Sequence, residues 1–295
     1  MTDRAFCVVR AGALTTVQDL GRAGHAHLGV PRAGALDEPA HRLANRLVGN
    51  PETAATLETT LTGCAVRVRT ATVVAVTGAP CSVTVDGRPA PWGAPVAVPA
   101  GAVLDAGPAT AGLRSYLAFA GGVAAEPVLG SRAADLLSGL GPAPLSDGGV
   151  LPLGDPYGPP ARVDAVVRAG LPAAELVLPC VLGPRDDWFT EAGLRTLATG
   201  RFRVSSASNR IGLRMEGPPL ERAKDGELPS EGMPLGALQV PPNGLPVLFL
   251  NDHPTTGGYP VVGVVPERFL AAAAQATPGT PVRIVPRPAR SFGQG

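Results

Sequence analysis

The chain has 295 residues, 45% of them hydrophobic and 17% charged, with a formal net charge of +1. That balance supplies a sizeable core, enough for two ordinary domains, and excludes a disordered chain. The arginines form no basic stripe for nucleic acid, and no apolar run reaches the roughly 18 residues that span a bilayer.

The opening M-T-D-R-A-F-C lacks the basic and apolar regions of a signal peptide, so a cytoplasmic protein is expected. Cys7, Cys64, Cys81 and Cys180 lie far apart with no C-x-x-C pair, which favours reduced thiols and leaves a Cys64–Cys81 pairing open. Gly (38) and Pro (33) are spread evenly, the punctuation of many short strands joined by tight turns. Lys224 is the only lysine, so a Schiff-base mechanism has a single candidate, in a segment that reads as an exposed loop.

In chain order, alternation predicts strands at Phe6–Val9, Ala65–Arg69, Val73–Thr77, Cys81–Val85, Pro95–Val98, Ala102–Asp105 and Arg114–Phe119. Asp86-Gly87 between two of these is a two-residue hairpin signal. Between the first two strands lies a helix. Asp37 is its cap, Pro39 sits where a missing N–H costs nothing, and Ala40, Leu43, Ala44, Leu47 and Val48 form an apolar stripe ended by Gly49. Asn50-Pro51 is read as the start of a short second helix.

The proline- and glycine-rich stretch from Leu151 to Arg162 reads as a linker. Beyond it come a strand at Glu175–Leu178, a helix capped by Thr190, and strands at Phe202–Ser205, Gly212–Glu216, Ala237–Val240, Val247–Leu250 and Val261–Val265. A helix over P-E-R-F-L-A-A-A-A-Q and a strand at Val282–Val285 complete the pattern. The expected domains are 1–154 and 161–287, with a linker at 155–160 and a flexible tail at 288–295.

Four polar clusters carry candidate chemistry. The first runs from Thr15 to Asp37 and holds Thr15, Thr16, Gln18, Asp19, Arg22, His25 and His27 among glycines that let the backbone approach a ligand. It is read as a ligand-facing loop, against the simpler reading that Asp19 and Arg22 pair across a turn. His25-x-His27 would set both rings on one face of a strand, but no third ligand lies at metal spacing, and no metal site is assigned. The second is L-G-S-R-A-A-D, where Ser131 can cap a short helix and Arg132 can pair with Asp135. The third, Ser206 to Pro218, offers Arg210 and Arg214 to an anion or to Glu216. The fourth joins Ser230, Glu231 and Gln239 to Asn251, Asp252, His253, Thr255, Thr256, Gly257, Gly258 and Tyr259, a candidate cradle for a carboxylate or phosphate. P-loop, G-x-G-x-x-G and G-x-S-x-G motifs are absent.

The order T-T-V-Q-D-L-G-R, L-V-G-N-P-E, L-A-x-A-G-G, L-G-S-R-x-x-D, S-E-G-x-x-x-G-A-x-Q-V-P and T-T-G-G-Y-P, from about Val8 to Val285, resembles the family of the 5-oxoprolinase C subunit. That family is also described as allophanate hydrolase subunit 2, biotin-dependent carboxyltransferase or KipA-type protein. The resemblance implies a mostly β chain with a few helices, folded as two cyclophilin-like β-barrel domains. It implies a bacterial heteromer with a KipI-type B subunit and an A subunit. That assembly opens 5-oxoproline to L-glutamate with ATP and Mg²⁺ at a site shared with the partner. The alternatives it carries are a carboxyltransferase for urea or another amide, with biotin held by a partner, and a non-catalytic regulator of a histidine-kinase inhibitor.

On that reading Asp19, Glu231, Asp252 and His253 are the catalytic candidates. Thr15, Thr16, Gln18, Arg22, His27, Arg132, Asp135, Arg210, Ser230, Gln239, Thr255, Thr256, Gly257, Gly258 and Tyr259 are the substrate or nucleotide contacts. Two positions depart from the family pattern: Asn209 stands where relatives carry Asp, and His253-Pro254 where they carry Arg-Gln. A protonated His253 would partly replace the missing arginine.

Overall fold

The computed structural model describes residues 4–162 and 174–288. The chain divides into two compact units, each mostly β with few helices. The first takes the described residues of Met1–Arg22, Ala33–Asp135 and Gly139–Leu171; the second takes those of Ala23–Arg32, Leu136–Ser138 and Pro172–Gly295. Of the expected tail 288–295, residues 289–295 lie outside the described residues, and the expected linker 155–160 belongs to the first unit. There Ala161 N–H donates to Leu47 O at 2.9 Å.

In the first unit, alternating Val, Leu and Phe give β1 (Ala5–Arg10), β2 (Leu14–Gln18), β3 (Thr56–Thr60), β4 (Cys64–Val68), β5 (Thr72–Gly78), β6 (Cys81–Val85), β7 (Arg88–Ala90), β8 (Val96–Val98), β9 (Val103–Ala109), β10 (Arg114–Phe119) and β11 (Val150–Pro152). They form two ladders, β11-β1-β4-β9-β6-β7 and β2-β3-β10-β5-β8. Both contribute inward residues to one core in which Phe6 stacks on Phe119 with ring centroids 4.9 Å apart. Asp86 (φ 47°) and Gly87 (φ 75°) turn β6 into β7 with Val85 opposite Arg88, as the sequence predicts.

The helix α1 (Glu38–Leu47) is capped as expected, Ala40 N–H donating to Asp37 Oδ1 at 3.1 Å, and buries Ala40, Ala44 and Leu47 against β5 and β10.

Three local expectations change. Thr15–Gln18 is a buried strand, not a loop, and it pairs with Thr56–Thr60, a strand that alternation does not reveal. Both escape a hydrophobic-period reading because among the groups they bury are hydroxyls, an amide and a carboxylate, most of them hydrogen-bonded. Asn50 starts no second helix: its side chain donates to Phe119 O at 2.8 Å and accepts from Gly121 N–H at 2.8 Å, stapling the end of α1 to the end of β10.

The second unit contains β12 (Leu176–Leu182), β13 (Phe202–Val204), β14 (Gly212–Glu216), β15 (Glu231–Gly232), β16 (Ala237–Gln239), β17 (Val247–Phe249), β18 (Thr256–Gly257), β19 (Val261–Val264) and β20 (Pro281–Arg287), with α2 (Glu191–Thr199) and α3 (Leu270–Ala274). Seven strands close a barrel in the order β12-β19-β16-β17-β14-β13-β20, and a parallel β12–β20 pairing shuts the ring. β15 and β18 form a separate two-stranded ladder. Thr190 caps α2 as predicted, accepting from Gly193 N–H at 3.0 Å. His25 and His27 do not lie on a strand: Ala26–Leu28 is a single 3₁₀ turn and His27 is exposed. Among the described residues, no helix is long and apolar enough to cross a membrane.

Candidate functional site

In the first unit, Q-D-L-G-R and S-R-A-A-D zip together although more than a hundred residues separate them. Asp19 Oδ1 accepts from Gly21 N–H at 2.8 Å and from Ser131 Oγ at 2.6 Å, while Oδ2 accepts from Arg132 N–H at 2.6 Å. Ala134 N–H donates to Val17 O at 2.9 Å, and Gln18 Nε2 donates to Ala134 O at 3.0 Å and to Thr16 Oγ1 at 3.0 Å. Arg22 donates through Nη2 to Ala133 O and through Nε to Val128 O at 3.3 Å. Thr15 Oγ1 turns back onto Ala11 O at 2.7 Å.

Asp19 and Arg22 therefore do not pair with each other. Ser131 caps no helix; its hydroxyl bridges Asp19 and Ala133 N–H. Arg132 does not reach Asp135 either, since its Nε donates to Ala125 O at 2.7 Å, and Asp135 is buried.

Two atoms of this buried zipper remain unmatched. Gln18 Oε1 and Arg22 Nη1 are both shielded from solvent and have no hydrogen-bond partner. One is an acceptor and the other a cationic donor, and leaving such groups unmatched is costly. The rest of each side chain is held, Gln18 Nε2 by Ala134 O and Thr16 Oγ1 and Arg22 by the carbonyls of Val128 and Ala133.

In the second unit, Arg210 and Asp252 form a bidentate ion pair, Nε to Oδ2 and Nη2 to Oδ1 both at 2.9 Å, and Leu136 N–H donates to Oδ2 at 3.3 Å. Arg210 thus serves Asp252 rather than Glu216 or an external anion. Next to it, His253 stacks on Phe249 with centroids 5.8 Å apart and sets Nδ1 2.7 Å from Pro254 O. A carbonyl can only accept, so Nδ1 carries the proton and Nε2 keeps its lone pair. Burial pushes the pKa down, against the raising effects of the Pro254 carbonyl and Asp252. The ring is held neutral, so it is not the cation that would replace the missing arginine.

The S-E-G and T-T-G-G-Y-P motifs meet as the β15–β18 ladder, with Glu231 opposite Gly257. The hydrogen bond from Arg185, which also donates at 2.6 Å to Oε2, holds the Glu231 carboxyl below its usual range. Gln239 Nε2 donates to Tyr259 O at 3.3 Å, and Gly258 O accepts from Leu228 N–H at 2.9 Å. Gly257 is packed rather than open: a Cβ there would lie 2.9 Å from Gln239 Nε2. Ser230 and Thr256 are exposed; Thr255 is half-buried, and its carbonyl accepts from Met233 N–H at 2.9 Å.

A further polar network was not foreseen. Glu58 accepts from Tyr116 Oη at 2.7 Å and from Leu36 N–H at 3.0 Å, beside Arg114. Its only sequence signal is a tyrosine inside the apolar run of β10, since Glu58 sits in the polar stretch T-L-E-T-T. Lys224 is exposed as expected, held by Asp187 above Trp188, a surface setting rather than a Schiff-base site.

Among the described residues, no group of three or more His, Cys, Asp or Glu gathers as a metal cage. Asp19, Glu231 and Asp252 are each engaged, Arg210 is neutralised, and Arg132 is bonded to backbone. These residues do not fit a nucleotide with its magnesium.

Comparison with known proteins identifies the family of the chain. A family model described as "carboxyltransferase domain, subdomain A and B" matches residues 28–286. The 5-oxoprolinase C subunit of Escherichia coli (strain K12) is 38% identical over 281 residues, covering 94% of this chain and 90% of that protein. The urea amidolyase of Saccharomyces cerevisiae is 33% identical over 307 residues, 96% of this chain but only 16% of that protein. The crystal structure of the K. lactis urea amidolyase superposes with a TM-score of 0.87 at 32% identity, over 96% of this chain and 18% of that one. The chain thus spans a small part of the fungal enzymes and nearly all of the bacterial protein. With a family model over most of its length and a relative this similar end to end, the chain belongs to the carboxyltransferase domain, subdomain A and B, family.

Proposed function

We propose that this chain is the C subunit of an ATP-dependent 5-oxoprolinase, a cytoplasmic hydrolase that works with an A subunit and a KipI-type B subunit. The observation that carries this reading is the 38% identity to the bacterial C subunit over 94% of this chain and 90% of that one. The buried unmatched pair of the first unit, Gln18 Oε1 and Arg22 Nη1, is where we place the lactam once the cover over it opens. A five-membered lactam holds its N–H and C=O cis, on one edge, so it offers one donor and one acceptor. Gln18 Oε1 suits the N–H and Arg22 Nη1 suits the oxygen. ATP transfers its γ-phosphoryl group to that oxygen and leaves as ADP. Water adds at the carbon, the C–N bond breaks with a proton going to the nitrogen, and the acyl phosphate formed is hydrolysed to carboxylate and inorganic phosphate. Charge gathers on the oxygen as this happens, where a fixed guanidinium is worth most.

Of the four catalytic candidates, His253, in the second unit, is the one whose own chemistry suits a proton acceptor, a role that does not depend on the Gln18–Arg22 pair of the first unit. It is neutral, oriented through Nδ1 and carries its lone pair on Nε2. Arg185 lowers the basicity of Glu231, and the oxygens of Asp19 and Asp252 are occupied by protein donors. Nucleotide binding is assigned to the partner proteins, because Asp19, Glu231 and Asp252, the carboxylates that would hold its magnesium, are taken by protein donors.

The test is co-expression with the A and B subunits and an assay of glutamate release from 5-oxoproline with ATP. Turnover that falls at least tenfold with Arg22→Lys supports the reading; a well-folded complex without turnover overturns it. The fungal relatives favour a second reading, transfer of a carboxyl group from a partner's biotin to urea, which also presents N–H and C=O. Carboxylation of urea by the complex with a biotinylated partner would select it.

A further inference from the structure

A separate feature of the second unit has no part in this chemistry. A cleft of about 470 Å³ lies against β13 and β20, lined by Arg201, Arg203, Arg283, Glu175, Phe202 and Thr199 among others. Phe202 pairs with Val282 and both are buried in the barrel, so the alternating neighbours Arg201, Arg203 and Arg283 stand on the outer face. Continuing that antiparallel register by one residue sets Arg201 opposite Arg283.

Like charges opposed across neighbouring strands are destabilising. The chain offsets this only in part. Arg283 Nε donates to Glu175 Oε2 at 2.8 Å, and Arg203 Nη1 donates to Gly279 O at 3.3 Å. Arg201 has no hydrogen bond or ion pair among the described residues. Three guanidiniums and the Glu175 carboxylate line a cavity within the range that small ligands fill, with Glu216 opposite Arg203 on the adjoining strand β14, so Arg201 and Arg283 are the pair left in excess. Packing gives no reason for this: all three arginines are exposed, and the core contact at these positions is made by Phe202 and Val282.

We propose that this cleft binds a small, multiply charged oxyanion, the phosphoryl or polycarboxylate group of a metabolite. Guanidinium forks match such groups with paired hydrogen bonds, and an anion between Arg201 and Arg283 turns their repulsion into attraction. The site is independent of the lactam reading.

The test is calorimetric titration of the purified full-length chain with inorganic phosphate and, separately, with citrate, at ionic strength held constant with NaCl. Thermal melts of the wild type, Arg201→Gln and Arg283→Gln accompany it. The expected result is saturable binding that raises Tm, weakened at least tenfold in either variant. Arg201→Gln alone, without the anion, should melt no lower than the wild type because it removes a repulsion. Saturation by phosphate only assigns a phosphoryl group, and by citrate only a polycarboxylate. Heats that do not saturate, or that are equal in wild type and variants, mean an adventitious ion only and overturn the proposal. A lower Tm of Arg201→Gln in anion-free buffer overturns it too, since the arginine would then be structural.

Discussion

Arg210 and Asp252, with side chains 1% and 0% exposed, neutralise each other through two parallel hydrogen bonds of 2.9 Å. A carboxylate in that position is a structural partner before it is a base. Removing one member leaves a buried charge unmatched. Asp252→Ala is therefore expected to cost about 3–5 kcal/mol, measured by urea unfolding. Replacing both residues with apolar ones of similar volume should restore much of that loss.

Asp19 makes a comparable prediction in the first unit. Asp19→Ala abandons three donors, Gly21 N–H, Ser131 Oγ and Arg132 N–H, and should destabilise by roughly 3 kcal/mol or more. Asp19→Asn keeps the shape and should cost about half as much. Equal stability of both variants to the wild type would show that the zipper does not hold the two segments.

Gly141 tests the Arg22 geometry without touching its side chain. Its φ is +82°, and a Cβ there would lie 2.2 Å from Ala133 O and 3.2 Å from Arg22 Nη2. Gly141→Ala should displace the carbonyl that Arg22 holds. The expected outcome is a loss of about 2 kcal/mol or more in stability together with a rise in KM for the lactam in the assembled enzyme.

His41 supplies a pH dependence. Burial pushes its pKa from 6.5 to about 4; Nε2–H donates to Glu52 O at 3.1 Å, and Nδ1 faces the Thr56 hydroxyl at 2.9 Å. The unfolded chain protonates first as pH falls. The neutral ring's contribution is thus complete above pH 6.5, declines between 6.5 and about 4, and levels off below. Its size is roughly 3 kcal/mol. Urea midpoints across that range should slope for the wild type and flatten for His41→Asn in proportion.

His253 predicts a division between activity and stability. His253→Phe keeps the stack on Phe249 and removes Nε2. It should lower kcat of the complex by about 100-fold, in the range of general-base loss, with a change of under about 1 kcal/mol in stability. Unchanged kcat would remove His253 from the chemistry.

Much of the fold was legible because apolar side chains announce themselves by period. Phe6 to Val9, Arg114 to Phe119 and the stripe on α1 alternate or recur as their elements require, and Asp86-Gly87 and Asp37 mark a turn and a cap by local chemistry alone. Motif order likewise placed the chain in its family. Thr15 to Gln18 and Thr56 to Thr60 were not legible as strands, because a threonine bonded to a buried carbonyl looks in sequence like a threonine in a loop.

The roles of the polar residues were decided by tertiary structure. Sequence offered Asp19 to Arg22, Arg132 to Asp135 and Arg214 to Glu216, all near neighbours. Folding instead gave Asp19 to Ser131, Arg210 to Asp252 and Arg185 to Glu231. The physical reason is that a buried charge takes whichever partner the backbone brings within about 3 Å, and strand pairing, not chain proximity, sets that distance. Composition and motif fixed which groups this protein possesses; the closing of its ladders decided that Gln18 Oε1 and Arg22 Nη1 are buried without a partner while Asp19 and Asp252 are fully engaged.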